Sequence, residues 1–163
     1  MGFYAENELH HFNYDDCRIV NAYRQDKNIC LEVEALIVTP QNSANEQLTS
    51  SYADITKIVF SDAELVGGVK DGLKKYDADD QLIEEIPDVI LSKEEMEDLF
   101  SHLKESYLYG AAAVDDHSTE YVIGIDMADN TLESMLEAPS YQLRIKCSKV
   151  SCYWNRYLNR VQG

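Results

Sequence analysis

Apolar and polar residues alternate most clearly between Asn28 and Thr39. The apolar positions there are Ile29, Leu31, Val33, Ala35 and Ile37, separated by Cys30, Glu32 and Glu34 among others. This period of two predicts a strand with one buried face. The preceding segment, 12–24, has an extended composition, and the polar connection at 25–28 is typical of a hairpin turn. Pro40 predicts the end of the second strand because it has no N–H to donate.

Several further strands are predicted along the chain. They cover 54–61, a short piece at 89–91, 119–127 and the long aromatic stretch 141–160. Within 141–160 the apolar positions change parity near 148–150, which predicts a bulge or a bend. A short helix is predicted at 130–138, where Pro139 would end it.

One long helix is predicted at 93–109. Ser92 is a suitable N-cap, and Glu95 three residues later completes a capping box. An apolar stripe follows at spacings of three and four residues, and it consists of Met96, Leu99, Phe100, Leu103 and Tyr107. Gly110 is placed to stop the helix at its C-terminal end.

These elements predict an α+β fold. We expect a mainly antiparallel, curved or sandwich-like β-sheet of about five to seven strands, with the helix at 93–109 packed on one face. The length of 163 residues is typical of one domain, so 1–163 is predicted to be a single unit. Residues 62–88 have weaker periodicity and many acidic residues, and we interpret them as a flexible acidic excursion.

The charge is the unusual feature of the composition. The chain has 14 Lys and Arg against 30 Asp and Glu, a formal net charge of -16. Such a surface repels nucleic acid and anionic membranes, and it favours a basic protein as partner. The N-terminus has no basic and apolar signal segment and no apolar run approaches the ~20 residues of a membrane helix. A cytoplasmic location with four free cysteines is therefore predicted.

The acidic excursion supplies the predicted partner-binding residues. They are Asp77, Asp79, Asp80, Glu84, Glu85 and Asp88. The same segment has only a superficial likeness to a calcium loop, since Leu82 stands where glycine is required. No metal site, cofactor or catalytic residue is predicted. The function that follows is a non-catalytic binding protein for a basic partner, similar to immunity proteins and antitoxins in composition only.

A small-molecule site is the alternative. Eleven tyrosines could line a pocket in a β-rich domain or an unrecognised enzyme. The candidate pocket residues on predicted strands are Tyr23, Tyr121, Tyr141 and Trp154.

The stretch 141–160 carries five cations and no Asp or Glu. We expect Arg144 and Lys146 to pair across strands with Glu32 and Glu34, as internal charge compensation. A docking surface for a protein, or a phosphate and base site around Trp154, are the alternatives. The negative charge of 1–139 opposes the second of these.

Overall fold

The fold consists mainly of β-strands, with one short α-helix among the described residues. The computed structural model describes residues 2–115, 119–127 and 140–161. Their strands are β1 Phe3–Glu6, β2 Phe12–Asn13, β3 Arg18–Gln25, β4 Asn28–Glu34, β5 Ile37–Val38, β6 Ser51–Ala53, β7 Thr56–Ser61, β8 Glu64–Lys70, β9 Leu73–Tyr76, β10 Leu82–Ile86, β11 Val89–Ile90, β12 Tyr107–Ala113, β13 Glu120–Asp126, β14 Ser140–Lys146, β15 Lys149–Trp154 and β16 Tyr157–Arg160. The single α-helix of these ranges, α1, covers Lys93–Ser101, and a 3₁₀ turn covers Leu9–His11.

Ten strands form one antiparallel sheet, in the order β1-β15-β7-β4-β3-β12-β13-β14-β8-β11. A four-stranded sheet has the order β16-β6-β5-β2, and β9 and β10 form a two-stranded sheet. The α+β class and the antiparallel pairing are confirmed. The prediction of five to seven strands is wrong, because the main sheet also recruits the N-terminal strand β1, the strand β8 and the strand β12.

The buried face of β4 follows the predicted alternation as far as Val33. The predicted end of this strand at Pro40 is wrong, because β4 ends at Glu34, Ala35 has a positive φ of 59° and Ile37 belongs to β5 in the other sheet. Ile29, Leu31 and Val33 of β4 are buried, and they pack with Ile123 and Ile125 of β13 in one cluster of core residues. Burial of such side chains stabilises a fold by roughly 1.5–3 kcal/mol each. The alternation is therefore the main determinant of strand register.

The predicted start of the helix is confirmed, and its predicted end is wrong. The Ser92 hydroxyl accepts from the Glu95 N–H over 3.1 Å, and the Glu95 carboxylate accepts from the Ser92 N–H over 3.0 Å. The helix ends at Ser101, however, and Gly110 lies within β12. Residues 107–113 pair along β13 instead, so strand pairing overrides the helical spacing that continued to Tyr107.

The helix α1 packs against β8 and β3. A Cβ on Gly68 of β8 would come within 3.0 Å of Met96 Cγ, so the missing side chain lets the helix lie close to the sheet. The Arg24 guanidinium donates to both carboxylate oxygens of Glu97, over 2.6 and 2.7 Å, and lies 4.9 Å from the centroid of the Phe100 ring. These contacts hold the helix against both β8 and β3.

Arg144 and Lys146 lie beside acidic residues other than those predicted. Because β14 lies between β13 and β8, Arg144 donates to Glu120 of β13 over 2.6 Å. Lys146 is aligned with Glu120 on one side and with Glu64 on the other. The acidic residues of β4 pair elsewhere, Glu34 with Arg18 and Glu32 in register with Lys57. The predicted pairing with Glu32 and Glu34 is therefore wrong.

The predicted bend near 148–150 corresponds to a break between β14 and β15, two strands with different neighbours. The short strand predicted at 89–91 is present as β11. The helix predicted at 130–138 lies outside the described residues. Among the residues that the structure describes, no helix has the length and apolar character needed to cross a membrane.

Candidate binding surface

Residues 71–88 form a two-stranded ribbon, here called the arm, that extends the edge of the main sheet. In the sheet, Lys70 of β8 pairs with Val89 of β11. After an interruption, Leu73 of β9 pairs with Ile86 of β10, in the same register as the Lys70–Val89 pair. The arm is therefore the continuation of the β8–β11 pair. The sequence pattern indicated an excursion here, and the strands β8, β9 and β10 were not predicted from it.

The arm is joined to the sheet through a close backbone contact at Gly72. A Cβ at this position would lie 2.1 Å from the carbonyl oxygen of Ile86 and 2.7 Å from the carbonyl carbon of Pro87. The Gly72 N–H donates to Asp88 Oδ1 over 2.6 Å. Because Pro87 has no N–H, regular pairing is interrupted at this point. Glycine is required at position 72 by this close approach.

The far end of the arm is a turn organised by Asp77. Its Oδ1 accepts from the N–H groups of Asp79 and Gln81, both over 2.9 Å. Asp80 has a positive φ of 60°, a conformation that Asp tolerates better than most residues. The Asp79 and Asp80 side chains are exposed at the tip.

Two ion pairs join the strands of the arm. Lys74 Nζ lies 3.8 Å from Glu85 Oε1, and Lys75 Nζ lies 3.5 Å from Glu84 Oε2. Both pairs join residues directly opposite each other in the ladder, where unlike charges favour the register. Each contributes little to stability in water.

The six predicted partner-binding carboxylates therefore lie together on the arm but differ in their surroundings. Glu84 and Glu85 face lysines of the arm, Asp77 holds the turn, and Asp88 accepts from Gly72. Asp79 and Asp80 complete the set at the tip.

Exposed apolar side chains, which sequence analysis did not single out, are concentrated on the arm and β11. Of the 16 large apolar side chains exposed in the described ranges, seven fall within 73–90: Leu73, Tyr76, Leu82, Ile83, Ile86, Val89 and Ile90. Tyr76 and Leu82 face each other across the ladder, and Ile83 occupies the irregular position beside Leu82. These three are 55, 48 and 64% exposed. In the sequence, the apolar residues of the segment Leu82–Ile86, "LIEEI", were the signal that could have indicated this exposed apolar surface.

Charge is concentrated in the same part of the chain. Residues 71–98 contain eleven Asp or Glu and three Lys, a balance of -8, which is half of the net charge of -16. The arm and the adjoining helix therefore combine exposed apolar surface with the strongest excess of carboxylates.

A groove of about 730 Å³ lies beside the arm, between α1 and the edge of the sheet. Its apolar lining comes from the sheet, the helix and their connections, and consists of Val89, Leu91, Leu99, Met127 and Tyr141. Its charged lining consists of Lys70, Glu94, Glu95, Asp98 and His102. Val89 of β11 lines the groove and directly follows the arm in the chain, so the groove begins where the arm ends.

The four predicted pocket residues lie in different places. Tyr141 lines the groove. Trp154 is 2% exposed and packs in the core against Phe3 and Phe12.

The other two pocket candidates lie on different strands. The Tyr23 ring lies 5.8 Å from Lys57 Nζ, and the Tyr121 ring lies 6.3 Å from that of Phe60. Strand residues of one type were distributed over both faces and several strands, so composition alone could not identify a pocket.

A polar cluster surrounds Asp71 at the base of the arm. Gln142 Nε2 donates to Asp71 Oδ1 over 3.4 Å. Partial burial and the nearby negative charge of Asp88 raise the pKa of Asp71, and burial and the charge of Asp71 raise the pKa of Tyr109. The Tyr109 ring covers Gly124, where a Cβ would lie 2.4 Å from ring atoms. This cluster fixes the base of the arm against the sheet.

The four cysteines are free and buried. Burial raises the pKa of Cys17 and of Cys152 to about 12, and the pKa of Cys147 to about 11. Such thiols are weak nucleophiles at neutral pH. Within the described part of the chain, no group of three or more His, Cys, Asp or Glu side chains is arranged to hold a metal ion.

In comparisons with known proteins, no protein-family model, no curated protein and no solved structure matches this chain. Its function is therefore inferred from the arm, the groove and the distribution of charge.

Proposed function

We propose that this chain is a non-catalytic binding protein that docks onto a basic protein partner in the cytoplasm, with the arm as its main contact. One observation carries the proposal: residues 71–98 combine seven exposed apolar side chains with a charge balance of -8. Contiguous apolar surface at an exposed edge is typical of an interaction site.

The two properties have different roles in binding. Burial of Tyr76, Leu82 and Ile83 in a partner would supply affinity, at roughly 25 cal/mol per Å² of apolar surface. The carboxylates would guide a basic protein to the arm and repel acidic ones. Because the ion pairs within the arm neutralise Glu84 and Glu85, the exposed Asp79 and Asp80 at the tip would contribute more to this attraction.

A basic protein fits this surface better than the other classes of partner. A second copy would bring the same excess of carboxylates against the first, which costs free energy at short range. Nucleic acid and anionic membranes carry negative charge as well. The four free, buried cysteines suit a reducing compartment such as the cytoplasm.

Affinity capture with matched variants tests the proposal. The wild type, the double variant Leu82→Ser/Ile83→Ser and the control Leu48→Ser would each be used as bait. Leu48 is 96% exposed and lies outside the arm. We expect a basic protein to be retained by the wild type and by Leu48→Ser, lost from the double variant and released by raised salt. Equal retention by all three baits, or retention of acidic proteins only, would contradict the proposal.

A further inference from the structure

We infer that the groove beside α1 receives a lysine or arginine side chain of the basic partner; this rests on the proposed function. Val89 of the edge strand β11 lines the groove and directly follows the arm in the chain, and its neighbour Ile90 is 83% exposed. A partner that contacts the arm is therefore close enough to reach into the groove.

The lining of the groove matches an amphipathic cation. Leu91, Leu99 and Tyr141 are among its apolar residues, and they offer contact surface for a long aliphatic stem. Lysine and arginine side chains bury such stems while their charged ends stay at a polar rim. The Tyr141 ring also provides a face that attracts a cation.

The acidic rim has two carboxylates available to bind the charged end. Glu95 is occupied by the Ser92 N–H, and Glu97 outside the groove is occupied by Arg24. Glu94 and Asp98 remain, one turn apart on α1, where residues four positions apart are neighbours. Asp98 Oδ1 lies 3.7 Å from His102 Nδ1, so Glu94 is the less constrained of the two.

The balance of charge in the groove favours a cation over an anion. The groove is lined by three carboxylates and one lysine, which gives a net charge of -2 when His102 is counted as neutral; these residues are Glu94, Glu95, Asp98 and Lys70. Charge-assisted hydrogen bonds from a guanidinium to these carboxylates are stronger than neutral ones. An arginine is the best fit, because its planar end can donate to two oxygens at once.

A pair of peptides that differ only in charge tests the inference. Acetyl-Leu-Arg-Leu-amide and its citrulline counterpart have nearly the same shape, but citrulline is neutral. Each would be titrated into the ¹⁵N-labelled protein by NMR. We expect the arginine peptide to shift the amides of Leu91, α1 and Tyr141, and to bind at least fivefold more tightly than the citrulline peptide.

Variants of the helix locate the effect. Glu94→Gln/Asp98→Asn should weaken the arginine peptide at least fivefold, and the control Glu97→Gln should leave it unchanged. Equal binding of both peptides, no effect of the double variant, or shifts confined to the arm would overturn the inference. Tighter binding of free agmatine than of the peptide would also overturn it, because the groove would then suit a small amine. Capture of a partner through the arm can still succeed in these cases, so the two failures are distinguishable.

Discussion

Gly72 and Asp88 join the two strands of the arm at the point where it leaves the main sheet. The Gly72 N–H donates to Asp88 Oδ1 over 2.6 Å, and the backbones are so close that no side chain fits at position 72. The direction of the arm therefore depends on this glycine. Its φ is not positive, so the requirement comes from the close contact with Ile86 and Pro87 and not from backbone conformation.

Substitution of Gly72 by alanine should disrupt the arm. The new Cβ would lie 2.1 Å from a backbone oxygen, so the strands must separate, at a cost of about 1–3 kcal/mol. Hydrogen exchange should show faster exchange of the β9 and β10 amides, with little change in β4. Gly67→Ala is the control, because its Cβ would meet only the flexible Arg144 side chain at 3.4 Å. Unchanged protection of the arm in Gly72→Ala would contradict this prediction.

The Arg24–Glu97 contact should make a small, pH-dependent contribution to stability. The Arg24 guanidinium lowers the pKa of Glu97 below its ordinary value. A carboxyl group with a lowered folded-state pKa stabilises the fold above its unfolded pKa, and that stabilisation is lost as the pH falls through the folded-state pKa. Because both side chains are 42% exposed, Glu97→Gln should cost less than about 1 kcal/mol at pH 7.

Urea unfolding at pH 7 and pH 3 measures this difference, which should shrink towards zero at the lower pH. An NMR titration of Glu97 provides the control, since Arg24→Gln should return its pKa towards the ordinary value. A difference in stability that grows as the pH falls would show that the sign is wrong.

The four thiols should be unreactive in the native protein. All are buried, and burial raises the pKa of each, so little thiolate is present and access is poor. Ellman's reagent at pH 8 should therefore label none within the first minute and all four after denaturation. Rapid labelling of a native thiol, or fewer than four thiols in the denatured chain without reductant, would be inconsistent with this structure.

The start of α1 and the buried face of β4 could be predicted from sequence because local signals decide them. A capping box and a period of two need no knowledge of distant residues. The end of α1 could not be predicted in the same way. Tyr107 continues the helical spacing, but residues 107–113 gain a ladder with β13, a partner that lies further along the chain.

Which strands lie next to each other in the sheet could not be predicted from the sequence either. The alternating charges of Arg144 and Lys146 correctly indicated an outward face. Their partners depend on the order of strands in the sheet, which places Glu120 on the neighbouring strand β13 and Glu32 four strands away on β4.

That the six carboxylates form a partner-binding site stays a prediction, but the structure shows surroundings for them that the sequence did not indicate. Attention to the carboxylates of 77–88 located the arm, yet Glu84 and Glu85 face lysines within it. The exposed Leu82 and Ile83 became apparent only when the structure showed that no described residue covers β10.

Site-specific photo-crosslinking in the native host tests the docking function of the arm most directly. A photoreactive amino acid would replace Ile83 at the arm, with Leu48 as the control position. We predict that a basic protein is crosslinked from position 83 and not from position 48, and that added salt reduces the yield. Crosslinks from position 83 only to another copy of this chain, to acidic proteins or to nothing would contradict the proposed function.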